Sequence, residues 1–168
     1  MNRTKNIYSR INTMEITEEK MNESDTQGKS RPKILIVEDD FTCRRLMEIY
    51  MSKYGNCFNA ANGAEGIRMF EDAFGIGEPY HVVCLDLLMP AVDGFTVLKQ
   101  IRQRERKDGI GDPEGVKIIM TTSMDDPEDI ERVLNEGCNG YIVKPVTQNG
   151  LDKEMQTLGF AKRNNCAS

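Results

Sequence analysis

Short runs of branched apolar residues alternate along this chain with stretches of helical period, and nothing else in the sequence constrains its fold as strongly. Lys33-Ile-Leu-Ile-Val37, Tyr80-His-Val-Val-Cys-Leu85 and Val116-Lys-Ile-Ile-Met-Thr121 read as buried strands, with Cys57 to Ala60 and Tyr141-Ile-Val143 as shorter ones. After the first run, Cys43, Leu46, Met47, Tyr50, Met51 and Tyr54 fall on one helical face, stopped by Gly55. Asn62-Gly63 opens a second helix with Ile67, Phe70 and Phe74 inward, ending near Gly75 and Gly77. A third starts at Asp93 and buries Val97, Leu98 and Ile101, while its far end, Arg102 to Lys107, reads as a charged, solvated face. Asp126-Pro127-Glu128-Asp129 combines the cap residue, first-turn proline and acids of a helix start. Ile130, Val133 and Leu134 face inward there, Gly137 closes that helix, and Leu151, Met155 and Leu158 mark a last one. Five strands alternating with five helices pack most simply as parallel strands joined by right-handed crossovers, an open α/β sandwich. In such folds the binding crevice lies at the carboxyl ends of the strands.

The residues at those ends carry chemistry. Glu38, Asp39 and Asp40 follow the first strand and Asp86 the third; Thr121, Thr122 and Ser123 end the fourth, and Lys144 and Pro145 follow the fifth. Carboxylates gathered at one edge raise each other's pKa unless a cation intervenes. A hard divalent ion with oxygen ligands answers that need, and an open cluster that keeps several waters suits Mg²⁺. A carboxylate beside such an ion can attack phosphorus and form an acyl phosphate, with the ion and Lys144 neutralising the phosphoryl oxygens and a fourth-strand hydroxyl adding a hydrogen bond. Taken singly, each feature has a plainer reading: an acidic pair is a solvated turn or helix cap, Lys-Pro ends a strand, and paired threonines favour strands. Their joint occurrence, in this order and only at strand ends, singles them out.

Ile34-Leu-Ile-Val-Glu-Asp-Asp40, Leu85-Asp-Leu-Leu-Met-Pro90 with Asp93-Gly94, Met120-Thr-Thr-Ser123 and Gly140-Tyr-Ile-Val-Lys-Pro145 resemble the receiver domain of two-component response regulators. The likeness runs from about Arg31 to Lys162. It divides the chain into a polar, flexible N-terminal extension (1–30), a receiver domain (31–162) and a short C-terminal tail (163–168). The resemblance implies a flavodoxin-like, doubly wound five-stranded parallel sheet of order 2-1-3-4-5 with five helices. By that match Asp86 is the phosphoacceptor, Glu38 and Asp39 are the acid pair that holds Mg²⁺, and the backbone carbonyl of Leu88 is a further ligand. Lys144 contacts the phosphoryl group, with a cis bond to Pro145, and Tyr141 is the switch aromatic that turns inward behind the switch hydroxyl. Two registers stay open. Asp40 competes with Glu38 for the acid pair, although the spacing to Arg44 favours Glu38 and Asp39. Thr121 competes with Thr122 for the hydroxyl, although counting back from Lys144 favours Thr122.

The implied function is a stand-alone receiver that takes a phosphoryl group from a sensor histidine kinase or a histidine phosphotransfer protein and then switches its binding to a downstream protein. It is not an enzyme beyond assisting its own phosphorylation and dephosphorylation. A phosphorelay intermediate that passes the group onward, or a phosphorylation-independent docking module, is the alternative. After the last strand there is room for one helix and a tail, so no effector module is expected. Leu88 and Met124 are apolar where many relatives are polar, which implies a long-lived phosphorylated Asp86. A flavodoxin-type cofactor binder would need a phosphate-cradling loop where the acids stand, and a dehalogenase-type enzyme a second Asp where Leu88 stands.

Composition trims the remaining classes. Net charge is −5 from 22 Lys and Arg against 27 Asp and Glu, which argues against nucleic acid as the main partner. Cys43, Cys57, Cys84, Cys138 and Cys166 are odd in number with no close pair, so free thiols in a cytoplasmic setting are expected, Cys84 buried. One histidine, His81, cannot build a His-rich metal site. No apolar run approaches the roughly 18 residues of a membrane span, and no signal-peptide core is present. Thr17 to Ser30 has only Met21 as an apolar anchor, while Ile7, Tyr8, Ile11 and Met14 fall at helical spacing and could form a short docking segment.

Overall fold

The computed structural model describes residues 30–111, 113–123 and 127–162. The spaced apolar residues Ile7 to Met14, Met124, the cap residue Asp126, Cys166 and the tail 163–168 lie outside these described residues. In chain order the elements are β1 (Lys33–Val37), α1 (Phe41–Met51), β2 (Asn56–Ala60), α2 (Gly63–Gly75), β3 (Val82–Asp86), α3 (Gly94–Lys107), β4 (Lys117–Thr122), α4 (Pro127–Asn135), β5 (Gly140–Val143) and α5 (Gln148–Thr157). The strands form one parallel sheet in the order β2-β1-β3-β4-β5.

Burial on both faces explains why the central strands read as continuous apolar runs. On one face Leu35, Val37, Val83, Leu85, Ile118 and Met120 pack with Phe70 of α2, Val97, Leu98 and Ile101 of α3 and Val133 of α4. On the other, Ile34, Ile36, Val82, Cys84 and Ile119 meet Met47 and Met51 of α1 and Leu151 and Met155 of α5. Each such fully buried aliphatic contributes about 1.5–3 kcal/mol. Helix starts follow their caps: Asn62 Oδ1 accepts the Glu65 amide at 2.9 Å, Asp93 Oδ1 that of Thr96 at 2.7 Å, and Thr147 Oγ1 that of Gly150 at 3.1 Å.

Three expectations change. Leu46 is 38% exposed and Leu134 is 48% exposed, so neither is core; only Met47, Met51 and Tyr54 of the first helical face are fully covered, because a single sheet face accepts a narrower stripe than the sequence offered. The far end of α3 is a solvated face only in part: Gln103, Arg106 and Lys107 are exposed, but Arg102 and Glu105 turn inward. Arg102 Nε donates to the Gly137 carbonyl at 2.9 Å and Nη2 to Asn139 Oδ1 at 2.8 Å, while Nη1 pairs with buried Glu105 at 2.6 Å. Glu105 in turn accepts the Val116 amide at 2.6 Å. Gly137 has φ +97°, a conformation other residues resist, and so turns the chain from α4 back under this guanidinium.

Candidate functional site

Register sets the site. Val37 is paired with both Ala60 and Leu85, and Asp86 with Thr121, so the chain just past β1, the end of β3 and the end of β4 come out side by side. Glu38 follows β1 and is fully buried; Asp39 is exposed; Asp86 is the last residue of β3 and is buried. One carboxylate oxygen from each of these three residues lies within 4.8 Å of the other two. Lys144, just past β5, reaches into the group: its Nζ is 3.0 Å from Asp86 Oδ2, and 3.1 and 2.9 Å from Glu38 Oε1 and Oε2. The contact with Oε2 is close but poorly directed, so Oε1 receives the hydrogen bond and Oε2 has no directed donor.

The electrostatics follow from this crowding. Burial pushes the Glu38 carboxyl above its ordinary pKa and the Asp86 charge adds to that, against the hydrogen bond from Lys144. For Lys144, burial works against the charged form, but hydrogen bonds to Glu38 and Asp86 outweigh it and raise its pKa. Asp40, one residue beyond the group, is committed elsewhere: its Oδ1 accepts the Cys43 amide at 2.7 Å as the cap of α1, and that bond lowers its pKa.

The loop after β3 is tied to the same carboxylate. The Leu88 amide lies 3.3 Å from Asp86 Oδ1, and the Leu88 side chain is half exposed above it. Gly94 packs so tightly on this turn that a Cβ there would stand 2.1 Å from the Asp86 carbonyl oxygen. Ala91 in the same loop has φ 65°, alone among the described non-glycine residues, and nothing in the sequence marks it. Thr121 and Thr122 are both fully buried. Thr122 ends β4 and its carbonyl accepts the Lys144 amide at 2.7 Å, which ties it to the lysine's strand, whereas Thr121 Oγ1 has no partner. Tyr141 on β5 is half-buried against the core, and the Lys144–Pro145 bond is cis.

Three close carboxylates with hard oxygen donors, one of them a buried oxygen without a directed donor, fit a divalent cation of the Mg²⁺ type. Glu38, Asp39 and Asp86 are the residues that would hold it. Sequence reasoning missed Arg44 as part of this site. Its guanidinium lies on the backbone of the acid loop, and only its position in the first turns of α1 hinted at that.

A family model described as the response regulator receiver domain matches residues 34–156. The probable transcriptional regulator ycf27 of Porphyridium aerugineum is 31% identical over 129 residues, which cover 76% of this chain and 48% of that protein. The chain thus spans about half the length of curated relatives it matches. Among solved structures, the receiver domain of Saccharomyces cerevisiae Ssk1, in a co-crystal with the histidine phosphotransfer protein Ypd1, superposes with a TM-score of 0.67 at 26% identity, covering 79% of this chain and 92% of that one. Vibrio cholerae chemotaxis protein CheY4 superposes with a TM-score of 0.65 at 25% identity, covering 77% and 99%. A five-stranded parallel sheet of order 2-1-3-4-5, an acid cluster at its carboxyl edge and a family match across the core of the chain place this protein in the response regulator receiver domain family.

Proposed function

We propose that this receiver accepts a phosphoryl group on Asp86 and changes its protein–protein binding in response. The observation that carries the reading is the meeting of the Glu38, Asp39 and Asp86 carboxylates within 4.8 Å, with the Lys144 ammonium 3.0 Å from Asp86. An Asp86 oxygen forms the new O–P bond as the N–P bond of a donor phosphohistidine breaks, and the imidazole leaves with the bonding electrons and takes up a proton. Lys144 fixes the attacking carboxylate beforehand and offers its charge to the incoming oxygens. A bound Mg²⁺ supplies further charge neutralisation of the phosphoryl group. The protein thereby assists its own phosphorylation without being an enzyme acting on other molecules.

The finer assignments belong to the same proposal. Thr122 donates its hydroxyl to the new dianion and Tyr141 follows inward, biasing a two-state surface. Leu88, half exposed beside the acceptor, shields the acyl phosphate from water, and the Leu88 carbonyl completes the cation site. The donor is a sensor histidine kinase or a histidine phosphotransfer protein, a reading supported by the Ssk1 receiver having been crystallised with Ypd1. A relay role, passing the group onward, is compatible with the same chemistry. The net charge of −5 favours a protein over a nucleic acid as the receiver's direct partner. No described helix is long and apolar enough to cross a membrane. The cysteine pattern of the sequence, five in number with no close pair, supports a reducing, cytoplasmic setting.

Incubation with acetyl phosphate and Mg²⁺, read by intact mass, tests the proposal. One phosphoryl adduct is expected on the wild type and none on Asp86→Asn. An adduct that survives the substitution, or no adduct on the wild type, refutes it.

A further inference from the structure

Arg44 stands in the first turns of α1 and is half-buried. An arginine beside three carboxylates is expected to pair with one of them, yet this one does not. Its Nη1 donates to the carbonyl of Glu38 at 2.5 Å and to the carbonyl of Asp39 at 3.2 Å. The guanidinium also lies over the Phe41 ring, 5.7 Å from its centroid. The planar group is thus held from one side by an aromatic face, and its Nη1 is shared between two consecutive peptide carbonyls.

Those two peptides belong to the residues whose side chains form the acid pair. Glu38 must turn inward, where it is fully buried, and Asp39 outward, where it is exposed, from adjacent positions on a chain leaving β1. The Glu38 amide is tied to the Ala60 carbonyl at 3.2 Å, and Asp40 is tied to α1 through the Cys43 amide at 2.7 Å. Between those ties the Asp40 amide lies 3.4 Å from Glu38 Oε1, and the two carbonyls held by Arg44 are the turn's contacts with a side chain of α1 through its own peptide oxygens. We propose that Arg44 is a positioning residue for the cation site: by bonding the Glu38 and Asp39 carbonyls it fixes the backbone that aims both carboxylates, and it does so without occupying either carboxylate as a salt-bridge partner. A cation-binding pair needs this kind of outer support, since ligating carboxylates left free to rotate lose affinity. The inference rests on the phosphoacceptor reading of the same site.

Its test separates the two. Mg²⁺ binding is measured by calorimetry on wild type, Arg44→Gln, Arg44→Lys and Arg45→Gln, with thermal melts of each in EDTA. Arg45 is one residue away, exposed, and pairs with Glu48 on its own helix, so its loss removes the same charge without touching the acid loop. Arg44→Gln is expected to weaken Mg²⁺ binding about tenfold or more, the usual size of an outer-support effect, with a melting temperature close to wild type. Arg44→Lys, which can still reach the carbonyls as a single donor group, recovers most of that loss, and Arg45→Gln changes affinity less than about twofold, as expected for a screened surface charge. Arg44→Gln binding within twofold of wild type overturns the proposal, as does an equal loss in Arg45→Gln, which would reduce the effect to net charge. A wild type that binds no Mg²⁺ removes the phosphoacceptor reading itself.

Discussion

Replacing Lys144 with methionine should lower the stability of the metal-free protein and raise its affinity for Mg²⁺, two effects of opposite sign from one missing charge. The ammonium lies 3.0 Å from Asp86 and 2.9 Å from Glu38, whose side chains are 3% and 0% exposed, while its own is 21% exposed. Deleting one member of a buried pair costs about 3–5 kcal/mol, because the partner is left buried and uncompensated. The partly open side of Lys144 screens some of this, which brings the expected loss to about 2–3 kcal/mol. For a domain of this size that is a fall of roughly 6–12 °C in melting temperature. The carboxylates freed from the lysine then meet Mg²⁺ without a competing cation. Even at the dielectric of water, a single and a double positive charge sharing the same carboxylates repel by more than about 1 kcal/mol, so affinity should tighten about tenfold. Circular-dichroism melts in EDTA read the first effect and Mg²⁺ titration calorimetry the second. The pH dependence has a fixed sign too. Glu38 already has a raised pKa and would lose the hydrogen bond that lowers it. The stability tied to a raised carboxyl is present below its unfolded value and lost as pH rises through the folded one. The variant should therefore gain stability on acidification from neutral pH towards 5. Equal melting temperatures in EDTA, or weaker Mg²⁺ binding by the variant, would refute the reasoning.

Other perturbations probe the rest of the framework. Arg102→Met strips the buried Glu105 of its cation and leaves the Gly137 carbonyl without that donor; urea unfolding should show a loss of about 3 kcal/mol, and a loss below about 1 kcal/mol would show the network to be dispensable. Thr121→Val removes a buried hydroxyl that has no partner and should be neutral to about 1 kcal/mol stabilising with phosphorylation retained, whereas Thr122→Ala should abolish the phosphorylation-dependent change in partner binding. The opposite pattern assigns the switch hydroxyl to Thr121. For Asp152, burial opposes the charge, but hydrogen bonds from Lys162, Lys53 and Tyr54 outweigh it and hold its pKa down to about 2. That depressed carboxyl contributes stability above roughly pH 4 which is lost as pH falls towards 2, on the order of 1–2 kcal/mol, so wild type and Asp152→Asn should differ near neutrality and converge in acid melts.

Strand and helix order could be read from the sequence because both faces of the sheet are buried. A strand buried on both faces must be apolar through its interior, and β1 is so from Ile34 to Val37, β3 from Val82 to Leu85 and β4 from Ile118 to Met120. The site was legible for a related reason: a parallel sheet presents its strand ends together, so residues far apart in sequence could be placed side by side from topology alone. Boundaries moved where a polar residue serves as the last strand position, as with Asp86 and Thr122. What escaped were side chains used against type. Arg102 and Glu105 look like the solvated end of an amphipathic helix, and their burial depends on carbonyls and amides of Gly137 and Val116 that carry no sequence signal. Arg44 escaped for the same reason, since its partners are backbone oxygens. Leu46 and Leu134 were placed inward by periodicity, which reports a stripe but not its width.

Polar satisfaction is unevenly distributed between the two edges of the sheet, and the imbalance has a consequence for stability. At the edge where strands begin, the Lys33 amide donates to His81 Nδ1, Glu105 accepts the Val116 amide, and Asn139 Oδ1 accepts both the Ile118 amide and Arg102. At the edge where strands end, Glu38 Oε2, Asn59 Oδ1 and Thr121 Oγ1 are buried without a directed partner. Lys53 and Arg104 also lack a well-directed hydrogen bond and, like Glu38 Oε2 with Lys144 at 2.9 Å, keep an ion pair. A carboxyl whose pKa is raised on folding is a carboxyl the folded state would prefer neutral. Glu38→Gln, which imitates that neutral form, should therefore melt at a higher temperature than wild type at neutral pH in EDTA. The same substitution removes a charged oxygen donor from the acid cluster, so the rise in melting temperature that Mg²⁺ gives the wild type should shrink or vanish. Melts of both proteins with and without the ion decide it: a Glu38→Gln variant less stable than wild type in EDTA would mean that the contact with Lys144 outweighs the burial, and that the metal-free site is not held at a cost to the fold.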